Sequence, residues 1–249
     1  MVQNHRLMVS YDGTDYHGWQ RQPGKKTIQG EIEKALTSIS GKKIPLVGAG
    51  RTDSGVHAYG QTAHFKASIS LHPEEMIRAL NSRLPFDIRV TEIQRMKPEF
   101  HARKSALSKV YSYRIYNSPH IPPFVTRYVY HWRAPLQVEA MKEASQMFVR
   151  KADFSPFSSN QRLYPVRRVM RSVIQKEGPE IIYTVEAEGF LRYMVRTMVG
   201  TLLEIGKGKI SPDIIEEIFQ SKNRSPKSPT APAHGLCLMR INYPPQIFP

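Results

Sequence analysis

The chain has 249 residues, and 40% of them are hydrophobic, which is enough for a packed core and argues against disorder. Lys and Arg number 36 against 21 Asp and Glu, so the formal charge is +15 and indicates a polyanionic partner such as nucleic acid. A membrane is the weaker alternative, because no apolar run approaches the roughly 20 residues that span a bilayer, and no secretory signal is expected at the start.

The first half is predicted to alternate strands and helices. Its strands are expected at residues 5–11, 44–49, 60–67 and 87–95. One helix runs from Thr27, which can cap its N-terminus, to about Ser40, with apolar side chains on one face. A second helix begins at His72 and ends before Pro85.

The second half follows a similar order without repeating the sequence. Its strands are expected at 108–116, 166–177, 180–188 and 235–243, its helices at 135–150, 189–206 and 211–220, and a proline-rich basic loop at 221–232. Two such halves predict an α+β fold with a shared mixed or antiparallel sheet, helices on one side and an RNA-binding cleft between the halves. The predicted domains are residues 1–103 and 104–249.

Basic and aromatic residues are concentrated in two stretches that contain no acid. Residues 100–138 hold six Lys or Arg among eight Tyr, Phe or Trp. Residues 154–176 hold Arg162, Arg167, Arg168, Arg171 and Lys176. For any single basic or aromatic residue, a solvated or buried position on a strand is the simpler interpretation than a contact with nucleic acid. Taken as whole stretches they favour nucleic acid, because cations bind phosphates, aromatic rings stack on unpaired bases, and solvated faces normally mix both signs.

The segment GAGRTDSGVHAYGQTAHF, residues 48–65, holds one carboxylate, Asp53. Asp-Ser-Gly is ordinary turn chemistry. Arg51, however, is close enough in sequence to keep a carboxylate ionised, and the glycines would let a planar ligand approach the backbone. Both interpretations stay open at this point. Thr-Asp-Ser-Gly is also similar to the motif of aspartic proteases, but their two carboxylates share a proton and this chain has no second copy.

A metal site is the other chemistry that these residues allow. His57 and His64 could bind a metal with Asp53, but their spacing matches no common zinc pattern. His57 is predicted to lie in a loop, and packing or RNA contact is the expected role of both histidines. Cys237 is the only cysteine, which excludes an internal disulfide and multi-thiolate zinc sites and fits a reducing cytoplasm.

Two further positions carry candidate chemistry. Lys109, Tyr111 and Tyr113 share one face of a predicted strand, where the tyrosines are either half-buried core or a flat surface for an unstacked base. Arg192 and Arg196 lie at the edge of an apolar helical stripe. They either extend over the core into solvent, or one turns inward, because a planar guanidinium can bind both oxygens of a buried carboxylate.

Five segments together resemble the successive signatures of the tRNA pseudouridine synthase A family. They are YDGTDYHGWQRQPGKKTIQGEIEKAL, GAGRTDSGVHAYGQTAHF, FHARKSALSKVYSYRI, GFLRYMVRTMVGTLLEIGKGK and TAPAHGLCL. The resemblance runs in order over nearly the whole chain. Two positions depart from it: Ser54 replaces a frequent alanine, and RSPKSP stands where the family commonly has an Ala-Gly pair.

The resemblance implies a pseudouridine synthase fold and the conversion of uridines 38, 39 and 40 in the tRNA anticodon arm to pseudouridine. It implies a homodimer that uses no cofactor or metal. By motif position it makes Asp53 the catalytic aspartate, Tyr111 the active-site tyrosine and Arg196 the arginine paired with the aspartate. The residues expected to bind substrate are Arg51, His57, Gln61, Lys109 and Tyr111. The alternative function is a non-catalytic RNA-binding protein.

Overall fold

A computed structural model of the chain describes residues 2–159 and 164–248, so Arg162 of the second basic stretch lies outside the described residues. The chain divides into two compact units. The first consists of Met1–Leu107 with Cys237–Pro249, and the second of Ser108–Leu236. Both units combine strands and helices, which confirms the predicted α+β class. The predicted domains 1–103 and 104–249 stay a prediction.

The regular elements have the following bounds. The strands are β1 (Gln3–Tyr11), β2 (Val47–Gly48), β3 (His57–Ala67), β4 (Ile88–Met96), β5 (Ser108–Asn117), β6 (Tyr130–Trp132), β7 (Lys151–Asp153), β8 (Val166–Glu177), β9 (Glu180–Ala187) and β10 (Leu236–Asn242). The helices are α1 (Ile28–Ser40), α2 (Pro73–Asn81), α3 (Val138–Gln146), α4 (Met194–Gly206) and α5 (Ile214–Ser221). Among the described residues, none of these helices has the length and apolar character needed to cross a membrane.

The first unit is built on strands in the order β4-β1-β3-β10. The pairs β1–β4, β1–β3 and β2–β3 are antiparallel, whereas β10 runs parallel to β3. The predicted start of α1 is confirmed, because the Thr27 hydroxyl accepts a hydrogen bond from the Gly30 amide at 3.3 Å. Ile32 and Leu36 are fully buried on its apolar face, which is the expected reason for a surface helix to form.

The second unit contains the antiparallel order β5-β9-β8-β7, with β6 added parallel to β5. Strand β8 has the bounds that the sequence predicts, and β9 ends one residue before the predicted 188. Helix α3 packs on β8 and on α4. Rings of Phe148, Phe154, Phe157 and Phe219 form an aromatic cluster with centroids 5.1 to 6.5 Å apart. Contacts of this geometry add to the stabilisation that apolar burial gives.

Three predicted elements are shorter than expected. The strand predicted at 44–49 is reduced to β2, because side chains of α1 satisfy the backbone of Leu46: its amide donates to Glu33 at 3.0 Å and its carbonyl accepts from Gln29 at 2.8 Å. Helix α4 begins at Met194 rather than 189, because Tyr193 has a left-handed backbone with φ of 63°. Helix α3 covers only nine of the sixteen residues predicted for it.

Candidate active site

The Asp53 side chain projects from a closed turn between β2 and β3. The Val56 amide donates to the Asp53 carbonyl at 3.2 Å, which closes the turn. The preceding residue, Thr52, is buried and held twice: its carbonyl accepts from the Trp19 amide at 3.1 Å, and its hydroxyl bonds the Tyr11 hydroxyl at 2.8 Å. Asp53 itself is only partly buried. The backbone that carries the Asp53 carboxylate is therefore held in place before any ligand arrives.

A second loop, residues 13–19, packs against the back of this turn. Ser54 donates to the Tyr16 carbonyl at 3.0 Å. Gly18 has φ of 79°, and a Cβ at this position would lie 2.5 Å from the Thr52 carbonyl oxygen. Only glycine accommodates both the left-handed backbone and the close approach. The two loops therefore contact each other through their backbones.

The three substrate-binding residues predicted in this unit differ in exposure. Arg51 is exposed, and its Nε donates to Gln20 at 3.0 Å. Gln61 is fully buried, and its Nε2 donates to the Gly50 carbonyl at 2.9 Å. His57 is buried, and its Nδ1 accepts from the Gly13 amide at 3.0 Å. Gln61 therefore binds the segment that leads into the Asp53 turn, and His57 binds the 13–19 loop. Contact of either side chain with substrate stays a prediction.

The predicted loop position of His57 is wrong. It is the first residue of β3, and it pairs with Cys237 of the parallel strand β10. This pairing joins residues 180 positions apart, so the local sequence around His57 does not predict it.

In the second unit, Tyr111 lies on β5 opposite Val185 of β9. The residue is 7% exposed, and its ring meets the ring of Phe190 edge to face, with centroids 5.2 Å apart. Lys109 is half-buried on the same strand. Tyr113 is fully buried and donates to the Pro232 carbonyl at 2.9 Å. The alternation predicted for β5 therefore places the two tyrosines in the interior more deeply than the half-buried positions expected of them.

Arg196 belongs to the first turns of α4 and is partly buried. Its Nε donates to the Ala231 carbonyl at 2.7 Å, and its guanidinium carbon lies 5.0 Å from the centre of the Tyr193 ring. The guanidinium is thus directed at the 229–232 segment and does not simply extend into solvent. Arg192, the second arginine of the predicted pair, is exposed.

The two histidines considered as metal ligands have packing contacts instead. The His64 Nδ1 accepts from the Ala102 amide at 3.2 Å. Burial, together with the nearby His101 and Lys66, lowers the pKa of His64 to about 4. In the part of the chain that the structure describes, no three His, Cys, Asp or Glu side chains are grouped as a metal site requires.

Comparison with known proteins decides the family. The sequence profile of a family described as "tRNA pseudouridine synthase" matches residues 7–103 and 144–244. The chain belongs to the tRNA pseudouridine synthase family. Asp53 and Arg196 lie inside the matched segments, whereas Lys109 and Tyr111 lie between them.

Individual relatives agree over almost their full lengths. The tRNA pseudouridine synthase A of Halalkalibacterium halodurans is 44% identical, and the match covers 95% of this chain and 91% of that protein. The protein of the same name from Methylacidiphilum infernorum is 40% identical, with 98% and 97% covered. The tRNA pseudouridine synthase A 1 of Desulfotalea psychrophila is 41% identical, with 97% and 100% covered. These matches confirm the resemblance and the prediction of an enzyme that isomerises uridine in tRNA.

Three features around the predicted site residues were missed by sequence reasoning. The support of the Asp53 turn by Tyr11 and Trp19 joins segments more than 30 residues apart. The left-handed Tyr193 has no local signal, because tyrosine is an unusual residue for that conformation. The proximity of TAPAHGLCL to the predicted Arg196 helix could have been suspected only from the resemblance.

Proposed function

We propose that the protein converts uridines 38, 39 and 40 of the tRNA anticodon arm to pseudouridine in the cytoplasm, as a homodimer, with Asp53 as the essential group. The observation that carries the proposal is the Asp53 turn. One partly buried carboxylate stands on a backbone that hydrogen bonds hold through Thr52, Ser54 and Val56. The family membership supplies the substrate class.

The proposed reaction requires the uridine to leave its stack. A base inside a helical stem cannot turn over, so it is flipped out at a cost of a few kcal/mol. Phosphate contacts can offset this cost, and the acid-free stretch 100–138 supports such contacts because its Arg103, Lys104, Arg127 and Arg133 are exposed. Tyr111 would stack on the extruded uracil, which requires its buried ring to become accessible when RNA binds. Arg51 would bind the RNA.

The chemistry breaks the N1–C1′ bond, rotates the base and forms the C5–C1′ bond, so that C5 loses a proton and N1 gains one. The product is an isomer of the substrate, and the reaction needs no external reactant. Asp53 has to be ionised to attack C1′, to attack C6 or to abstract the C2′ proton. The proposed role of Arg196 is to keep the Asp53 carboxylate in that charged state.

The decisive experiment replaces Asp53 by Asn, which keeps the size of the side chain and removes its charge. Asp53→Asn is expected to abolish tritium release from tRNA that carries 5-tritiated uridine, while tRNA binding in a filter assay is retained. Glu74→Gln is the matched control, because it replaces a carboxylate by an amide at an exposed acid of the same unit, on α2 and outside both loops. Wild-type turnover by Asp53→Asn would show that Asp53 is not part of the mechanism. Loss of neither turnover nor binding would leave Asp53 without the proposed role.

The position of modification needs its own measurement. Bulk tRNA from cells that lack this activity is incubated with the protein, and pseudouridine is mapped by sequencing. We expect new pseudouridine at positions 38, 39 and 40 alone. Pseudouridine confined to another arm would refute the proposed substrate site while leaving the reaction type intact. Sedimentation equilibrium is expected to give twice the chain mass of 28.5 kDa.

A further inference from the structure

One segment of the second unit packs along the face of α4 that carries Arg196 and is hydrogen-bonded to it. We call this segment, residues 228–232, the brace. The Thr201 hydroxyl donates to the buried Ser228 hydroxyl at 2.9 Å. One turn earlier on the helix, the hydroxyls of Thr197 and Thr230 lie 3.5 Å apart. The brace therefore follows the helix in register, residue against residue.

The closest approach is between backbones. A Cβ on Gly200 of α4 would lie 1.7 Å from the Pro229 carbonyl oxygen. Any side chain at this position would push the brace off the helix. The far end of the brace is held separately, because the Pro232 carbonyl accepts the hydrogen bond from the buried Tyr113 hydroxyl at 2.9 Å.

Arg196 and Ala231 are joined by two reciprocal hydrogen bonds. The Arg196 Nε donates to the Ala231 carbonyl at 2.7 Å, and the Ala231 amide donates to the Arg196 carbonyl at 3.0 Å. A guanidinium is planar, so fixing its Nε–H edge also fixes the direction of the edge formed by the two Nη groups. That second edge is the one suited to bind a carboxylate with two hydrogen bonds.

Tyr193 supplies the face on which this guanidinium lies. Its backbone is left-handed, with φ of 63° and ψ of 2°, at the residue just before α4. Glycine or asparagine would adopt this conformation with less strain, and strained residues of this kind concentrate at functional sites. The guanidinium carbons of Arg196 and of the exposed Arg192 lie 5.0 Å and 4.8 Å from the centre of the Tyr193 ring, and cations are attracted to the faces of aromatic rings.

We propose that Tyr193 and the brace are positioning elements that hold the Arg196 guanidinium in one orientation for the reaction. The proposal rests on the proposed function, in which Arg196 serves the Asp53 carboxylate. Neither Tyr193 nor the brace needs to touch the substrate for this purpose. A helix start alone would be served better by glycine or asparagine, so the proposal attributes the strained tyrosine to the need for its ring.

The test separates the ring from the backbone conformation. Tyr193→Asn suits the left-handed backbone and removes the ring, and Tyr193→Phe keeps the ring and removes only the hydroxyl. A small displacement of a group at a reaction centre can slow turnover by up to about a hundredfold. We therefore expect Tyr193→Asn to lower kcat about tenfold to a hundredfold, with KM within about twofold and an unchanged or higher Tm. Tyr193→Phe is expected to restore kcat to within about twofold of wild type.

Lys222 provides the matched stability control. It and Tyr193 are the two non-glycine residues with positive φ in the part of the chain that the structure describes. The change in Tm of Lys222→Asn measures the effect of relieving the same backbone strain at a position where no guanidinium lies on the side chain. It is compared with the change in Tm of Tyr193→Asn. If Tyr193→Asn does not fold, Tyr193→Gly, which suits the same backbone, takes its place in the kinetic comparison.

The outcomes distinguish this proposal from the proposed function. Wild-type kcat in Tyr193→Asn, or equal losses in Tyr193→Asn and Tyr193→Phe, overturns the positioning role. Arg196→Ala is measured in parallel. If Arg196→Ala turns over normally, the proposed role of Arg196 itself is wrong. If Arg196→Ala is inactive while Tyr193→Asn is normal, the function stands and only the positioning role fails.

Discussion

The buried His64 makes the stability of the first unit depend on pH in a predictable direction. The side chain is 6% exposed on β3, its ring lies edge-on to Phe100 at 5.9 Å, and His101 lies 4.7 Å away. Burial is the main cause that lowers the pKa of His64 from 6.5 to about 4, and the charges of His101 and Lys66 add to it. The folded protein therefore keeps this imidazole neutral under conditions in which an exposed histidine takes up a proton.

The sign and the size of the effect follow from the two pKa values. Between pH 6.5 and about 4, the unfolded chain binds a proton that the folded protein does not bind, so unfolding becomes easier as the pH falls. The stabilising contribution is complete above pH 6.5 and is lost progressively toward pH 4. The difference between a pKa of 6.5 and one of about 4, at about 1.4 kcal/mol for each step of one in pKa, gives about 3–4 kcal/mol well below pH 4.

Urea unfolding of wild type and His64→Asn at pH 7 and pH 4 measures this contribution. Asparagine does not titrate, and its oxygen can accept the hydrogen bond from the Ala102 amide. The variant is expected to be less stable at pH 7, because it packs less well, but to lose about 2–3 kcal/mol less than wild type on acidification. Burial also lowers the pKa of His5, but the His5 contribution to the pH dependence is the same in wild type and His64→Asn, so it cancels in the comparison. Equal losses in the two proteins would refute the reasoning.

Three further predictions concern the loops and the RNA. Gly18→Ala is expected to lower the free energy of unfolding in urea by about 1–3 kcal/mol more than Gly24→Ala, and to reduce tritium release. Both glycines have positive φ, but only a Cβ at Gly18 would meet a backbone oxygen, so equal losses of stability would argue against the contact. Tyr113→Phe should cost about 1 kcal/mol in the same assay by removing the hydrogen bond to Pro232, and an unchanged midpoint would contradict it. Binding of tRNA should weaken at least about a hundredfold between 50 and 200 mM salt in filter assays, and Arg133→Ala should reduce the slope of log K against log salt by about 1; a flat salt dependence would exclude phosphate contacts.

Elements formed by neighbouring residues could be predicted from the sequence. Helix α1 has its Thr27 cap and apolar face as expected, and the β8–β9 hairpin turns at Gly178 as the pattern indicates. The Asp53 turn was identified because Asp, Ser and Gly in succession are turn residues whatever surrounds them. Each of these features depends on side chains within a few positions of one another.

The sequence by itself therefore determined the α+β class, the family and the candidate carboxylate. Only the tertiary structure decided that Leu46 bonds to α1 side chains, that His57 starts a strand beside Cys237, and that Tyr193 is left-handed under a guanidinium. The physical reason is the separation of the partners. Backbone groups are satisfied by whichever donor or acceptor the fold brings near, and a partner far along the chain leaves no mark on the local pattern.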